Sequence, residues 1–231
     1  MARASAKIDT YLEIGQKRTF GGALDWPGWC RSGRDEASAL QALMEYAPRY
    51  ARVVASARLA FEAPSDLSAF VVRERLHGNA TTDFGAPGLA PSRDAAEVTP
   101  EELKRFQNVL KACWQALDGA IKEGTGKTLR TGLRGGGRPL EGIIQHILDA
   151  NEGYLNQVGW KFRRDPSGEL TDQVEQIRQA TLDALTASAR GDIPAQGPRG
   201  GRRWSARYFV RRVAWHMLDH VWEIEDRLLT R

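Results

Sequence analysis

Residues 209–224 read Phe-Val-Arg-Arg-Val-Ala-Trp-His-Met-Leu-Asp-His-Val-Trp-Glu-Ile. Apolar residues recur in this stretch every three or four positions, which predicts a helix with one buried face. His216 and His220 fall on that face, because side chains four residues apart project from the same side of a helix. The stretch therefore predicts a helix whose buried face offers two imidazole nitrogens to one ligand.

A third histidine, His146, also lies among regularly spaced apolar residues, on a separate predicted helix. His146 has Ile143 and Ile147 at inward spacings, so its ring is also expected on an apolar face. Three imidazoles are the protein part of a catalytic zinc-type centre, which keeps a further position for water or substrate. His146, His216 and His220 are therefore the candidate metal ligands. The alternative is that they are ordinary core residues, because an isolated His-x-x-x-His spacing is a weak pattern.

Four helices are predicted after residue 98. Thr99-Pro100-Glu101-Glu102 has an N-cap residue, a proline at the first helical position and acidic residues in the first turn. Helical apolar spacing continues from there to Ile121, which gives the first helix, and the same spacing indicates three further helices after it. These run from Pro139 to about Trp160, around Val174 to Leu185, and from about Ser205 nearly to the end of the chain. Residues 99–231 are therefore predicted to form an antiparallel four-helix bundle.

The beginning of the chain has a different period. In residues 8–14 one set of side chains alternates with another, as expected of a half-buried strand: Ile8, Thr10, Leu12 and Ile14 alternate with Asp9, Tyr11 and Glu13. Further strands are predicted over residues 17–24 and 68–76. Residues 35–60 have helical spacing, with Pro48 expected to kink or divide the helix. The predicted order of elements is therefore β-β-α-β.

A linker separates the two predicted domains. Residues 85–98 begin with a stretch that is dense in Gly and Pro and has no period. The predicted organisation is a small β-β-α-β module over residues 6–84, this linker, and the helical bundle over residues 99–231. The fold class expected for the whole chain is α+β.

The chain from about residue 100 to 231 resembles the DinB-like superfamily of metal-binding four-helix bundles, which includes the YfiT-type enzymes. The matching residues are His146 within 145–152, and His216 and His220 within 215–220. The resemblance implies one divalent ion, zinc or nickel, bound by these three histidines, and a thiol-dependent transferase or isomerase reaction. A shorter resemblance relates residues 6–84 to the HicB-type antitoxin fold. It rests on the strand, Pro-Gly turn and following helix between Phe20 and Leu43.

Charged residues near the three histidines are candidates for supporting roles. Asp149, Asp219 and Glu223 each follow a histidine by three residues, so each is a candidate to accept the second ring N–H of that histidine. Each also fits a solvated helix face. Arg212 precedes His216 by one helical turn and is the candidate for binding a carboxylate or phosphate of a substrate, with a salt bridge between helices as the alternative.

The composition is that of a globular protein. The 231 residues are 42% hydrophobic and 27% charged, and their formal net charge of +4 is too mild to favour a nucleic acid as partner. No apolar run approaches the ~20 residues of a membrane span, and the first residues lack the hydrophobic core of a signal peptide. A cytoplasmic protein without a membrane partner is therefore expected. Cys30 and Cys113 are predicted to be a loop thiol and a small core residue.

Two classes of function fit these observations. The first is a divalent-metal-dependent enzyme that acts on a small molecule, either anionic or a low-molecular-weight thiol. Its reaction would be thiol-dependent transfer or isomerisation, with metal-dependent hydrolysis as the alternative. The second is a non-catalytic, metal-stabilised binding or regulatory protein. An open coordination position favours the enzyme, whereas a fourth protein ligand favours a structural ion. A homodimer is compatible with these observations.

Overall fold

The computed structural model describes residues 7–131 and 137–228. Within these residues the fold is α+β, as predicted, with four strands and six α-helices. The chain separates into two compact units, Met1–Ala96 and Glu97–Arg231. Residue 6 and residues 229–231, at the outer ends of the two predicted domains, lie outside the described residues.

The first unit is built on a sheet that has four strands in the described residues. In chain order these are β1 (Ile8–Ile14), β2 (Thr19–Ala23), β3 (Cys30–Gly33) and β4 (Phe70–His77), and helix α1 (Glu36–Ala55) lies between β3 and β4. The order across the sheet is β3-β2-β1-β4. β1 runs antiparallel to β2 and parallel to β4, and β2 runs antiparallel to β3. Helix α1 packs on β2 and β3.

The predicted β-β-α-β order is wrong, because β3 precedes the helix. This strand has only four residues, which are too few to display a period of two. It forms because β2 offers an edge for pairing, with Cys30 opposite Gly22 and Gly33 opposite Thr19. Cys30 is consequently 2% exposed and lies in the sheet, so it is not the loop thiol that the sequence predicted.

Helix α1 continues through Pro48, so of the predicted kink or division the division does not occur. Proline removes one backbone hydrogen bond from a helix. Side chains on both sides of it are nevertheless fully buried, with Leu43 before the proline and Tyr50 and Val54 after it. This packing holds both halves of the helix in place. The helix ends at Ala55 and not near residue 60.

A buried carboxylate fastens the segment after β4 to β1. The short helix α2 (Ala80–Phe84) follows β4, and the hydroxyl of Thr82 donates to the fully buried Glu13. The backbone N–H groups of Gly88 and Leu89 donate to the two oxygens of the same carboxylate at 2.9 and 3.0 Å. Burial of a carboxylate is costly unless its oxygens are bonded. These bonds therefore fix the first residues of the predicted linker.

The described part of the second unit contains four long helices. They are α3 (Pro100–Gly124), α4 (Leu140–Val158), α5 (Leu170–Ala189) and α6 (Ala206–Leu228). Helix α6 packs against the other three, and α4 and α3 each pack against α5. Most side chains of α6 are therefore buried. Among the described helices, none combines the length and the apolar composition needed to span a bilayer.

The start of α3 has the cap that the sequence predicted. Thr99 Oγ1 accepts a hydrogen bond from the backbone N–H of Glu102 at 3.2 Å, and the Glu102 carboxylate accepts one from the backbone N–H of Thr99 at 3.0 Å. Arg207, near the start of α6, donates to the same carboxylate at 2.6 Å. This bond is the main reason that the pKa of Glu102 lies below its usual value. The cap therefore also ties α3 to α6.

Candidate metal centre

Three imidazole rings meet where α4 packs against α6. His146 comes from α4, and His216 and His220 come from adjacent turns of α6. The Nε2 atom of His216 lies 3.1 Å from that of His146 and 3.2 Å from that of His220. One ligand atom from each ring lies within 4.8 Å of the others. The structure thus brings together the three residues selected from the sequence.

The three rings differ in their exposure to solvent. Ile143 and Ile147 are buried beside His146. His216 and His220 are 6% and 7% exposed, whereas His146 is only partly buried. The histidine cluster, meaning these three residues, is therefore enclosed on the α6 side and partly accessible to solvent on the α4 side.

The contacts between the ring nitrogens do not form a satisfied set of hydrogen bonds. A neutral imidazole carries a proton on one nitrogen and a lone pair on the other. The Nε2 of His216 has either one proton or one lone pair, so its two contacts must share it and cannot both be full hydrogen bonds. Three nitrogens bound to one tetrahedral ion at 2.0–2.1 Å would lie about 3.4 Å apart. The two separations of 3.1 and 3.2 Å are close to this value, and all three ligand atoms lie within 4.8 Å of one another, so the group could hold a divalent cation.

Glu223 sets the orientation of His220. Its Oε2 lies 2.8 Å from Nδ1 of His220, and a carboxylate can only accept, so Nδ1 carries the proton and the Nε2 lone pair faces the cluster. This hydrogen bond is the main reason that the pKa of Glu223 lies below its usual value. Of the three carboxylates selected from the sequence, Glu223 thus contacts its histidine directly.

Burial favours the neutral form of the candidate ligands. Desolvation is the main reason that the pKa of His216 lies well below its usual value, and it is lowered further by repulsion from His220 and His146 when these rings are protonated and from the guanidinium groups of Arg212 and Arg138. Desolvation likewise lowers the pKa of His146. Metal ions bind the neutral imidazole. Both rings are therefore in the ligand form at neutral pH.

The other two selected carboxylates have different surroundings. Asp149 accepts a hydrogen bond from Arg164, and its negative charge acts to raise the pKa of His146. Asp219 is half-buried, and its charge acts to raise the pKa of Tyr154. Asp149 is thus placed to influence a candidate ligand by its charge, and Asp219 lies towards Tyr154.

Arg212 lies beside the cluster among aromatic rings. Its guanidinium carbon is 4.9 Å from the ring centre of Trp215, 5.4 Å from that of Tyr154 and 5.9 Å from that of Trp204. The guanidinium donates to the Tyr154 hydroxyl at 3.3 Å. The Tyr154 ring packs edge-on against His216, with 5.6 Å between ring centres. The arginine selected from the sequence is thus held next to the histidine cluster by cation–π contacts.

Two parts of this environment were missed in the sequence. Trp204 precedes α6, and Tyr154 lies on α4, so only the packing of these elements brings them to Arg212. The second omission is Arg227, which donates to Glu223 at 2.8 Å. The i, i+4 spacing of Glu223 and Arg227 is the signal that would have identified this pair.

Cys113, on α3, takes no part in this chemistry. It is fully buried, and burial raises the pKa of its thiol to about 12. The thiol therefore stays protonated and is neither a nucleophile nor a ligand. It is the small core residue that the sequence predicted.

No family model, curated protein or solved structure matches the chain.

Proposed function

We propose that the protein is a divalent-metal-dependent enzyme whose ion is bound by His146, His216 and His220. The convergence of their Nε2 atoms carries this proposal, since the two contacts of 3.1 and 3.2 Å are better satisfied by a cation than by protons. These three side chains form a group among the described residues whose spacing could hold a metal ion. Three protein ligands leave a position for substrate, which is typical of a catalytic ion. Zinc and nickel are the expected ions, because both accept imidazole ligands.

We also infer that α3 to α6 form an antiparallel four-helix bundle of the DinB-like kind. The support is the order of the ligands, with one histidine on the second long helix and a His-x-x-x-His pair on the last. A HicB-like origin of the first unit stays a proposal, and it has to accommodate the additional strand β3.

The proposed reaction is thiol-dependent transfer or isomerisation. A divalent ion bound by neutral imidazoles keeps its full charge and lowers the pKa of a coordinated thiol or water. Glu223 fixes the proton of neutral His220 on Nδ1, so that the Nε2 of the neutral ring carries the lone pair. Arg212, whose charge already acts on His216, would bind an anionic group of the substrate.

An activity screen on metal-loaded protein tests this proposal. Metal-free protein is loaded with Zn²⁺ or Ni²⁺ and incubated with low-molecular-weight thiols and an electrophilic acceptor, while ester and amide hydrolysis is followed in parallel. We expect metal-dependent consumption of thiol by the wild type and none by His216→Ala. Hydrolysis without thiol consumption would replace the transferase by a hydrolase. A bound ion with a fourth protein ligand and neither activity would indicate a non-catalytic protein.

A further inference from the structure

The guanidinium of Arg227 is bonded to the carboxylate that orients His220. Arg227 Nη1 donates to Oε1 of Glu223 at 2.8 Å, and the other oxygen of this carboxylate contacts His220 at 2.8 Å. The carboxylate is thus held at both oxygens and cannot rotate without losing a bond. Arg227 is 7% exposed, and hydrogen bonds to a charged group are stronger when water is excluded.

The chain between α3 and α4 lies against Arg227 at two places, Arg130 and Gly137. At one end, Arg227 Nε donates to the carbonyl of Arg130 at 2.7 Å, and the backbone N–H of Arg130 donates to the carbonyl of Arg227 at 3.1 Å. At the other end, Gly137 has φ +151°, and a Cβ atom on it would lie 2.6 Å from Nη2 of Arg227. An alanine at this φ would be strained, and its Cβ would displace the guanidinium, so glycine is favoured where the guanidinium passes.

We propose that Arg227 is a positioning residue of the metal centre, which holds His220 through Glu223 and makes metal affinity depend on the placement of the α3–α4 connection. This inference rests on the proposed metal site.

The two physical effects of Arg227 on a bound cation have opposite signs. Its positive charge repels the ion, so loss of the charge alone would strengthen metal binding. Its hydrogen bonds hold Glu223 and His220 in the binding geometry, so loss of these bonds would weaken metal binding. The direction of the change in Arg227→Met therefore separates positioning from simple electrostatics.

Titration with Co²⁺ alone, followed by its visible absorption, tests the proposal. We expect Arg227→Met to bind about 10- to 100-fold more weakly than the wild type, which is the usual effect of losing an outer-shell partner. Gly137→Ala should weaken binding in the same direction, because its Cβ displaces the guanidinium, and Arg227→Lys should recover part of the loss. The absorption bands of bound Co²⁺ should shift in Arg227→Met, since the His220 ring is no longer held in one orientation.

Two matched controls separate this role from general damage to the fold. Gly126 lies in the same connection at φ +76° with open space around its Cβ position, so Gly126→Ala should leave Co²⁺ affinity unchanged. Arg178, on α5, is also mostly buried and is ion-paired with Asp118 at 2.5 Å, away from Glu223. Arg178→Met should therefore also leave Co²⁺ affinity unchanged. Circular dichroism of the metal-free variants confirms folding. If Arg227→Met does not fold, Gly137→Ala and Arg227→Lys carry the test.

A double-mutant cycle tests the path through Glu223. If Arg227 acts through this carboxylate, adding Arg227→Met to Glu223→Gln should cause little further loss of affinity. Fully additive losses would overturn the positioning role, and so would wild-type affinity in the Arg227→Met protein. Failure of the wild type itself to bind Co²⁺ would instead remove the proposed metal site and this inference with it.

Discussion

His216 is the residue on which the candidate site depends most, because its Nε2 contacts those of both other histidines. Sequence spacing was sufficient to select it, since residues four apart share a helix face whatever surrounds the helix. The surroundings of Arg212 could not be predicted in this way. Trp204 and Tyr154 contact Arg212 but do not belong to α6. The residue spacing within one helix cannot predict contacts with residues outside that helix.

Replacement of Arg212 by methionine should remove a preference for anionic thiols. The wild type is expected to bind carboxylate-bearing thiols more tightly than their amides, because one charge-assisted contact contributes on the order of 1 to 3 kcal/mol. Arg212→Met should erase most of that difference without changing the metal content. Calorimetric titration of metal-loaded protein with acid and amide pairs measures it, with Arg178→Met as the control. Equal binding of acids and amides by the wild type would exclude this role.

Long elements with clear ends were predictable, whereas short ones were not. Helices α3 to α6 begin and end close to the predicted positions because caps, glycines and prolines mark them and their apolar spacing continues for several turns. Strand β3 and helix α2 have four and five residues, and they depend on pairing and on the Glu13 bonds. Pro48 was overestimated as a helix breaker, because packing on both sides of it outweighs one missing hydrogen bond.

Loss of the α3 cap should destabilise the second unit. Thr99→Ala removes the oxygen that accepts from the N–H of Glu102, and the cost expected for an N-cap residue is about 0.5–2 kcal/mol. Urea denaturation followed by circular dichroism measures the change in the free energy of unfolding. Thr171→Ala, at an exposed position in the first turn of α5, is the matched control and should change little. An equal loss in both variants would mean that the cap is not the cause.

The second unit should fold without the first. A fragment that begins at Ala95 contains α3 to α6 with their own buried side chains, and the histidine cluster lies entirely within it. We expect a helical circular dichroism spectrum, a cooperative thermal transition and retained metal binding. A soluble fragment without helical signal would show that residues before Ala95 belong to the same core.

For the whole molecule, the lowered histidine pKa values predict how stability depends on pH. The folded pKa values of His146 and His216 lie below 6.5, their value in the unfolded chain. Between the lowered values and 6.5 the unfolded state binds more protons, so the free energy of unfolding of metal-free protein falls as pH decreases through this range. Well above 6.5 both rings are neutral in either state and add no further dependence.

Urea denaturation of metal-free protein at several pH values on both sides of 6.5 measures this effect. The dependence should be shallower in His216→Asn, which has no group titrating in the range. An identical dependence in the wild type and in this variant would show that His216 does not contribute to it.

Metal content of the purified protein tests the central claim most directly. Elemental analysis by plasma mass spectrometry is made on the wild type and on His216→Ala, both incubated with divalent ions and then freed of excess metal. If the three histidines form the site, the wild type carries one divalent ion per chain and His216→Ala carries little or none. Absence of stoichiometric metal from the wild type, or full retention of metal by His216→Ala, would contradict the account.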